Sequence, residues 1–296
     1  KNIKNENCLD HKNCYLKKTG LFIKKTTCNP CPTKEEKLDK KAKKLFKLLD
    51  KCKTDCTDNN IDKFKSYINC MHDVNKVTKN YCMVENLIYY AAKLNIHQVF
   101  DILVEKGADI NSMPTYTDNY ENTGWTPLHI ACYKGNKEFV EKIIKKYSDN
   151  EKYSDDKKKK MINTFTEPIQ TCNKDKYLKL KHNYTPLMLA CINGVINQKN
   201  TDLVDLLITN GADVNKKNNK DQTALKVVML YDKNLDMLDF LINTHGADKS
   251  DSFMIMVKNL TDNSHKIIKK FELLEKININ AEYGPYKETV LHILCS

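Results

Sequence analysis

The sequence predicts an all-α solenoid of about six to seven helix-turn-helix repeats with short hairpin fingers, and three observations carry that prediction. Gly124-Trp125-Thr126-Pro127-Leu128-His129-Ile130-Ala131-Cys132 returns in altered form as Tyr184-Thr185-Pro186-Leu187-Met188-Leu189-Ala190-Cys191 and as Glu288-Thr289-Val290-Leu291-His292-Ile293-Leu294-Cys295. Paired apolar stripes accompany the starts: Val99, Phe100, Ile102, Leu103; Phe139, Val140, Ile143, Ile144; Leu203, Val204, Leu206, Leu207; Met237, Leu238, Phe240, Leu241. Recurrent endings close the units in Gly107-Ala108-Asp109-Ile110-Asn111, Gly211-Ala212-Asp213-Val214-Asn215 and Gly246-Ala247-Asp248.

Each element has a local reason. Thr at the start of each copy is a helix N-cap whose hydroxyl accepts a backbone N–H, and Pro at the next position lacks a donor that would go unused there. Aligning on that Thr places starts at Lys43, Asn86, Thr126, Thr185, Thr223, Ser252 and Thr289, of which the first, sixth and seventh are degenerate. The apolar stripe that follows reads as a second helix, and the Gly or Asn at its end adopts the left-handed conformation that lets the chain leave sideways into a finger. No single hairpin can bury its apolar face alone, so the core is expected as a ribbon between stacked neighbours in one elongated domain.

The joined T-P-L-H-x-A start and Gly-Ala-Asp ending resemble the ankyrin repeat family, over nearly everything after the first forty residues. Successive starts here lie 43, 40, 59, 38, 29 and 37 positions apart, whereas that family repeats about every 33 residues, so insertions are expected. The largest falls at about 148–182, where the lysine run Lys157-Lys158-Lys159-Lys160 reads as solvated. Met161, Ile162, Phe165 and Ile169 have helix-like spacing and are expected to pack on the repeats or on a partner. Residues Ile196 to Asn200 lengthen the fourth repeat's bend. Domain boundaries follow: 1–42 as a cysteine-rich cap and 43–296 as the repeat array.

By the resemblance, the residue before the Thr cap and the two before the turn Gly line a concave partner-binding face. That assigns Trp125, Tyr133 and Lys134 in the third repeat and Tyr184, Ile192 and Asn193 in the fourth. The finger of residues 112–124 adds Tyr116 and Tyr120, aromatics in a polar stretch of the kind that anchors protein interfaces. The same resemblance gives His129 and His292 a structural role at one repeat position.

Lysine supplies all 49 basic residues, with no arginine, and the formal net charge is +11. Specific readout of phosphates and guanine edges leans on the bidentate guanidinium, which lysine cannot imitate. Salt-sensitive attraction to nucleic acid or a membrane surface is therefore the alternative to protein binding, without sequence specificity. The abundance of Lys, Asn and Ile also matches an AT-rich coding sequence.

Cysteines fall in two groups. Cys8, Cys14, Cys28, Cys31, Cys52, Cys56, Cys70 and Cys82 crowd the first 82 residues, as in a cap held by disulfides in an oxidising compartment. Their pairing is open. A zinc site on Cys28 and Cys31 with Cys8, His11 or Cys14, in an intracellular scaffold, is the alternative. Cys132, Cys191 and Cys295 share one repeat position and read as small buried hydrophobes.

No phosphate-binding, metalloprotease or serine-hydrolase motif occurs, and the 8 glycines are scattered. No catalytic residue, resident metal or cofactor is expected. No run approaches the length of a membrane-spanning helix. A chain opening on Lys1 fits a processed secreted form. The expectation is a secreted protein-binding module, an effector delivered by a parasite or pathogen to engage a host protein.

Overall fold

A computed structural model describes residues 35–54, 56–76, 78–80, 83–116, 124–149, 154–166, 183–197, 201–231 and 236–248. Two compact units make up the fold, one from Lys1–Ala131, Asn136–Asp149 and Glu167–Lys181, the other from Cys132–Gly135, Asn150–Thr166 and His182–Ser296. The expected starts at Ser252 and Thr289 lie outside the described residues.

In the first unit, helix α1 spans Glu35–Cys52 and α2 spans Asp58–Ile68. Leu45, Phe46, Leu48, Leu49 and Cys52 of α1 are buried, at the spacing of one helical face, and α1 packs on α2 and on α3 (Leu87–Leu94). The expected start at Lys43 is corrected: it falls inside α1, as does the boundary at 42/43. Glu35 and Glu36 favour an earlier start, because carboxylates in the first turn complement the helix dipole.

Asn86 starts α3 where the repeat pattern wants Thr, and its Oδ1 accepts the Tyr89 N–H at 2.9 Å. Asn95 ends that helix at φ 59, as Gly135 does at φ 74 after α5 (Pro127–Lys134). A 3₁₀ turn, His97–Val99, runs into α4, Phe100–Glu105, and the following repeat answers with α6, Lys137–Ser148. The expected stripes form the core: Val99, Phe100 and Leu103 are buried, as are Phe139, Val140, Ile143 and Ile144. The Phe100 and Phe139 rings meet edge to face with centroids 5.4 Å apart. Asn136 joins the two repeats through Nδ2, which donates to the Ala92 carbonyl at 2.6 Å.

A small antiparallel sheet accompanies the helices. Strands β1 (Thr78–Asn80), β2 (Met83–Asn86) and β3 (Thr115–Tyr116) lie in that order, with Lys79 opposite Glu85 and Val84 opposite both Asn80 and Thr115. Strands of two to four residues are too short to show a period of two in the sequence.

The second unit holds α7 (Asp155–Ile162), α8 (Pro186–Asn197), α9 (Thr201–Thr209), α10 (Ala224–Tyr231) and α11 (Asp236–Asp239), the last continuing as a π-helical turn over Phe240–Thr244. Leu203, Val204, Leu207, Met237, Leu238 and Leu241 are buried; Leu206 and Phe240 are half-buried. Gly211 and Gly246 end their helices at φ 97 and 63, as the repeat endings require. Helix α8 has 12 residues against 8 in α5 and α10, because Gly194 stays helical instead of closing the turn.

Part of the expected insertion forms a helix, α7. Helix α6 runs through Ser148, and the apolar end of α7 is part of the repeat: Met161 and Ile162 are buried, and Asn163 occupies the finger position held by Asn75 and Asn215 elsewhere. Phe165 is half-buried with Lys216 Nζ 5.1 Å from its ring centroid, and Ile169 lies outside the described residues.

Candidate partner-binding surface

Threonine caps position the first helices. Met188 N–H donates to Thr185 Oγ1 at 3.2 Å and Lys226 N–H to Thr223 Oγ1 at 3.3 Å. In the third repeat Thr126 Oγ1 lies 2.8 Å from His129 Nδ1, and the Thr126 N–H donates to that nitrogen at 3.2 Å. His129 is fully buried and holds its own helix start. Lys226 occupies the same position in the fifth repeat, buried, with Nζ donating to the Asp221 carbonyl at 2.9 Å.

The helices so capped carry the expected contact residues, and burial sorts them. Trp125 is 1% exposed, Tyr184 4% and Ile192 4%, so all three side chains are buried among the described residues. Tyr184 is also tied to its finger: its N–H donates to Thr166 Oγ1 at 3.0 Å and its carbonyl accepts the Thr166 N–H at 2.9 Å. Tyr116 ends β3. Tyr120 lies outside the described residues.

Tyr133, Lys134 and Asn193 are brought together within the second unit. Asn193 is buried, and its Nδ2 donates to the Tyr133 carbonyl at 2.9 Å. That carbonyl is in the last turn of α5, where no intrahelical donor remains for it. Asn193 is thus a clasp. Tyr133 is half-buried and Lys134 exposed, with Nζ 5.8 Å from the Tyr133 ring centroid. An aromatic body beside a cation, on a fixed helix end, is a surface suited to protein contact.

A ladder of asparagines spaces the fingers, and the expected site residues did not include it. Asn75 Nδ2 donates to the Gly107 carbonyl and its Oδ1 accepts the Asp109 N–H, both at 2.9 Å. Asn163 repeats this with Gly211 and Asp213 at 2.9 and 2.8 Å, and Asn215 Oδ1 accepts the Asp248 N–H at 2.8 Å. A side-chain amide presents one donor face and one acceptor, as a peptide does, so one residue satisfies two backbone groups of the next repeat. The recurring pairs Val74-Asn75, Ile162-Asn163 and Val214-Asn215 were the readable trace.

In the first unit, a groove of about 600 Å³ between α4 and α6 is lined by Phe100, His97, Asp101, Glu138, Lys142 and their neighbours. Lys142 and Asp101 form an ion pair across it, and Asn95 Nδ2 donates to Glu138 Oε2 at 3.1 Å. Glu138's own backbone N–H, then Asn95, hold its carboxyl below the usual value. Charges of both signs line this wall.

Cys132 and Cys191 are fully buried, and burial pushes both thiols well above the ordinary value, Cys191 adding to the effect on Cys132. Unpaired and protonated, they are packing residues. Cys52 and Cys70 are buried and Cys56 half-buried, with Cys56 and Cys70 as free thiols. Cys8, Cys14, Cys28, Cys31 and Cys82, with the zinc alternative's His11, and Cys295 lie outside the described residues. Among the described residues no cluster of three metal-ligating side chains occurs, and no helix is long and apolar enough to cross a membrane.

A family model described as ankyrin repeats (3 copies) matches residues 53–154 and 157–252. No curated protein matches the chain.

Proposed function

The chain belongs to the ankyrin repeat family, and on that premise we propose that it is a non-catalytic protein-binding module whose contact surface includes the Tyr133–Lys134 edge. Members of this family generally mediate protein–protein interaction. The observation that supports the specific edge is the Asn193 clasp on the Tyr133 carbonyl. It fixes the end of α5, where the Tyr133 side chain is half-buried and Lys134 is exposed. The preorganised pair loses little side-chain freedom when a partner docks, which is where interface affinity is often lost.

The reading extends to compartment: a secreted protein, with disulfides among the N-terminal cysteines, acting as an effector on a host protein. Cysteine crowding in the first 82 residues supports it. Thiol counting on chain produced in an oxidising compartment tests this part. N-terminal thiols that become titratable only after reduction agree with it, whereas titratable thiols accompanied by stoichiometric zinc favour an intracellular scaffold.

The binding reading is tested by comparing proteins captured by the wild type and by Tyr133→Ala/Lys134→Glu. Lys134 is exposed and Tyr133 only half-buried, so the unfolding midpoint falls little while the specifically captured partner is lost. Equal capture by the two proteins sinks the assignment of this edge.

A further inference from the structure

The chain's positive charge is concentrated at one end. Residues 1–54 contain 16 lysines and 6 acidic residues, a net +10, while residues 55–296 contain 33 lysines and 32 acidic residues, a net +1. Helix α1 lies within the charged segment and shows how it is displayed. With 3.6 residues per turn, Lys43, Lys44, Lys47 and Lys51 fall within an arc of about 100°, and all four are exposed. The opposite arc carries Leu45, Phe46, Leu48 and Leu49, buried against α2 and α3. An amphipathic basic helix has therefore spent its apolar face inside the fold and kept only its cationic face for solvent.

We propose that this face of α1 is a docking surface for an anionic lipid bilayer. The stripe is straight, about 12 Å long over the eight 1.5 Å rises from Lys43 to Lys51, and its charges share one side, the geometry that a plane of anionic headgroups meets. Asp50 lies beside it, and its carboxylate accepts the Tyr90 hydroxyl. Lys44 lies with Nζ 5.6 Å from the Tyr67 ring centroid. Lysine alone supplies the charge, so the stripe lacks the guanidinium forks that hold individual phosphates bidentately. A row of ammonium groups on long side chains suits a fluid surface where charge density, not fixed geometry, is recognised. This surface is separate from the Tyr133–Lys134 edge, and the two readings stand or fall independently.

The test is cosedimentation of the full chain with vesicles of phosphatidylcholine containing about one-fifth phosphatidylserine, at roughly 0.1 M salt. Each lysine near such a surface contributes about a fivefold increase in partitioning. K43Q/K44Q/K47Q/K51Q is therefore expected to lose on the order of several hundred fold, and the four Lys→Arg replacements to retain binding. K157Q/K158Q/K159Q/K160Q removes the same net charge elsewhere and is expected to bind like the wild type. Equal loss in both Gln variants, equal binding to pure phosphatidylcholine, or no binding to the anionic vesicles overturns the proposal. So does tighter binding to poly-glutamate or to duplex DNA. Thermal melts by circular dichroism check that the exposed substitutions leave the fold intact.

Discussion

Replacing Asn163 by Ala tests whether the third repeat keeps its finger despite the helix inserted before it. The side chain makes two bonds to the fourth repeat's ending, to the Gly211 carbonyl at 2.9 Å and from the Asp213 N–H at 2.8 Å, and a third to Lys159 O at 2.9 Å that stays within its own turn. Each intramolecular hydrogen bond contributes a net 0.5–1.5 kcal/mol or so. The two inter-repeat bonds are partly open to water, which can take over part of their role, so the expected loss is about 1–2 kcal/mol. For a protein of this size that is a drop of roughly 2–8 °C in Tm. Urea unfolding gives the energy, and hydrogen exchange at the Asp213 amide gives the location, because that N–H loses its acceptor. Asn163→Asp keeps an acceptor for Asp213 but sets a carboxylate against the Gly211 carbonyl, and is expected to be at least as damaging. A loss below about 0.5 kcal/mol with Asp213 exchange unchanged refutes the reasoning, since it makes the side chain an ornament of the turn.

Further expectations can be measured on the same protein. Gly211→Ala costs about 1–2 kcal/mol from its backbone alone, because φ is 97 while the added methyl only touches Lys159 Cγ at 3.6 Å; urea midpoints read it. Phe139→Ala, removing a fully buried ring packed on Phe100, costs about 3–5 kcal/mol by the same assay. Cys132 and Cys191 resist iodoacetamide in the native state at neutral pH and react once denaturant exposes them, because burial suppresses the thiolate; mass spectrometry follows the adducts. Glu138 has a lowered folded value, so its small stabilising contribution is present above the ordinary carboxylate range and fades as pH falls through the folded one. The stability difference between wild type and Glu138→Gln accordingly shrinks on acidification below about pH 4.

The sequence was readable where a repeat rule and a burial rule coincide. Thr126, Thr185 and Thr223 cap helices because hydroxyl chemistry at a helix start is local, and Phe139, Val140, Ile143 and Ile144 are core because their spacing allows one buried face. Lys43 misled for the converse reason. A degenerate repeat offers no Thr to mark its start, and the true start at Glu35 is announced only by acidic residues that could equally sit on a surface. Asn163 was hidden because the eight residues of α7 displaced it from its usual distance to the preceding helix.

The contact surface was less legible, and the reason is specific to this architecture. Family position tells which residues sit at the ends of first helices, but exposure there depends on the neighbouring finger, and fingers are the most irregular part of this chain. Trp125 and Tyr184 precede their caps at equivalent positions, and both are buried, Tyr184 through its pairing with Thr166. Asn193 was assigned to contact and instead holds the carbonyl of Tyr133. The consequence is a separation of roles that side-chain type alone could not reveal: the fourth repeat supplies the clasp, and the third supplies the groups it presents. Under the proposed function, Asn193→Ala is expected to weaken partner binding through the loss of its clasp on the Tyr133 carbonyl. Tyr133→Phe, which leaves the clasped carbonyl and the ring in place, should retain whatever part of the affinity comes from the aromatic face.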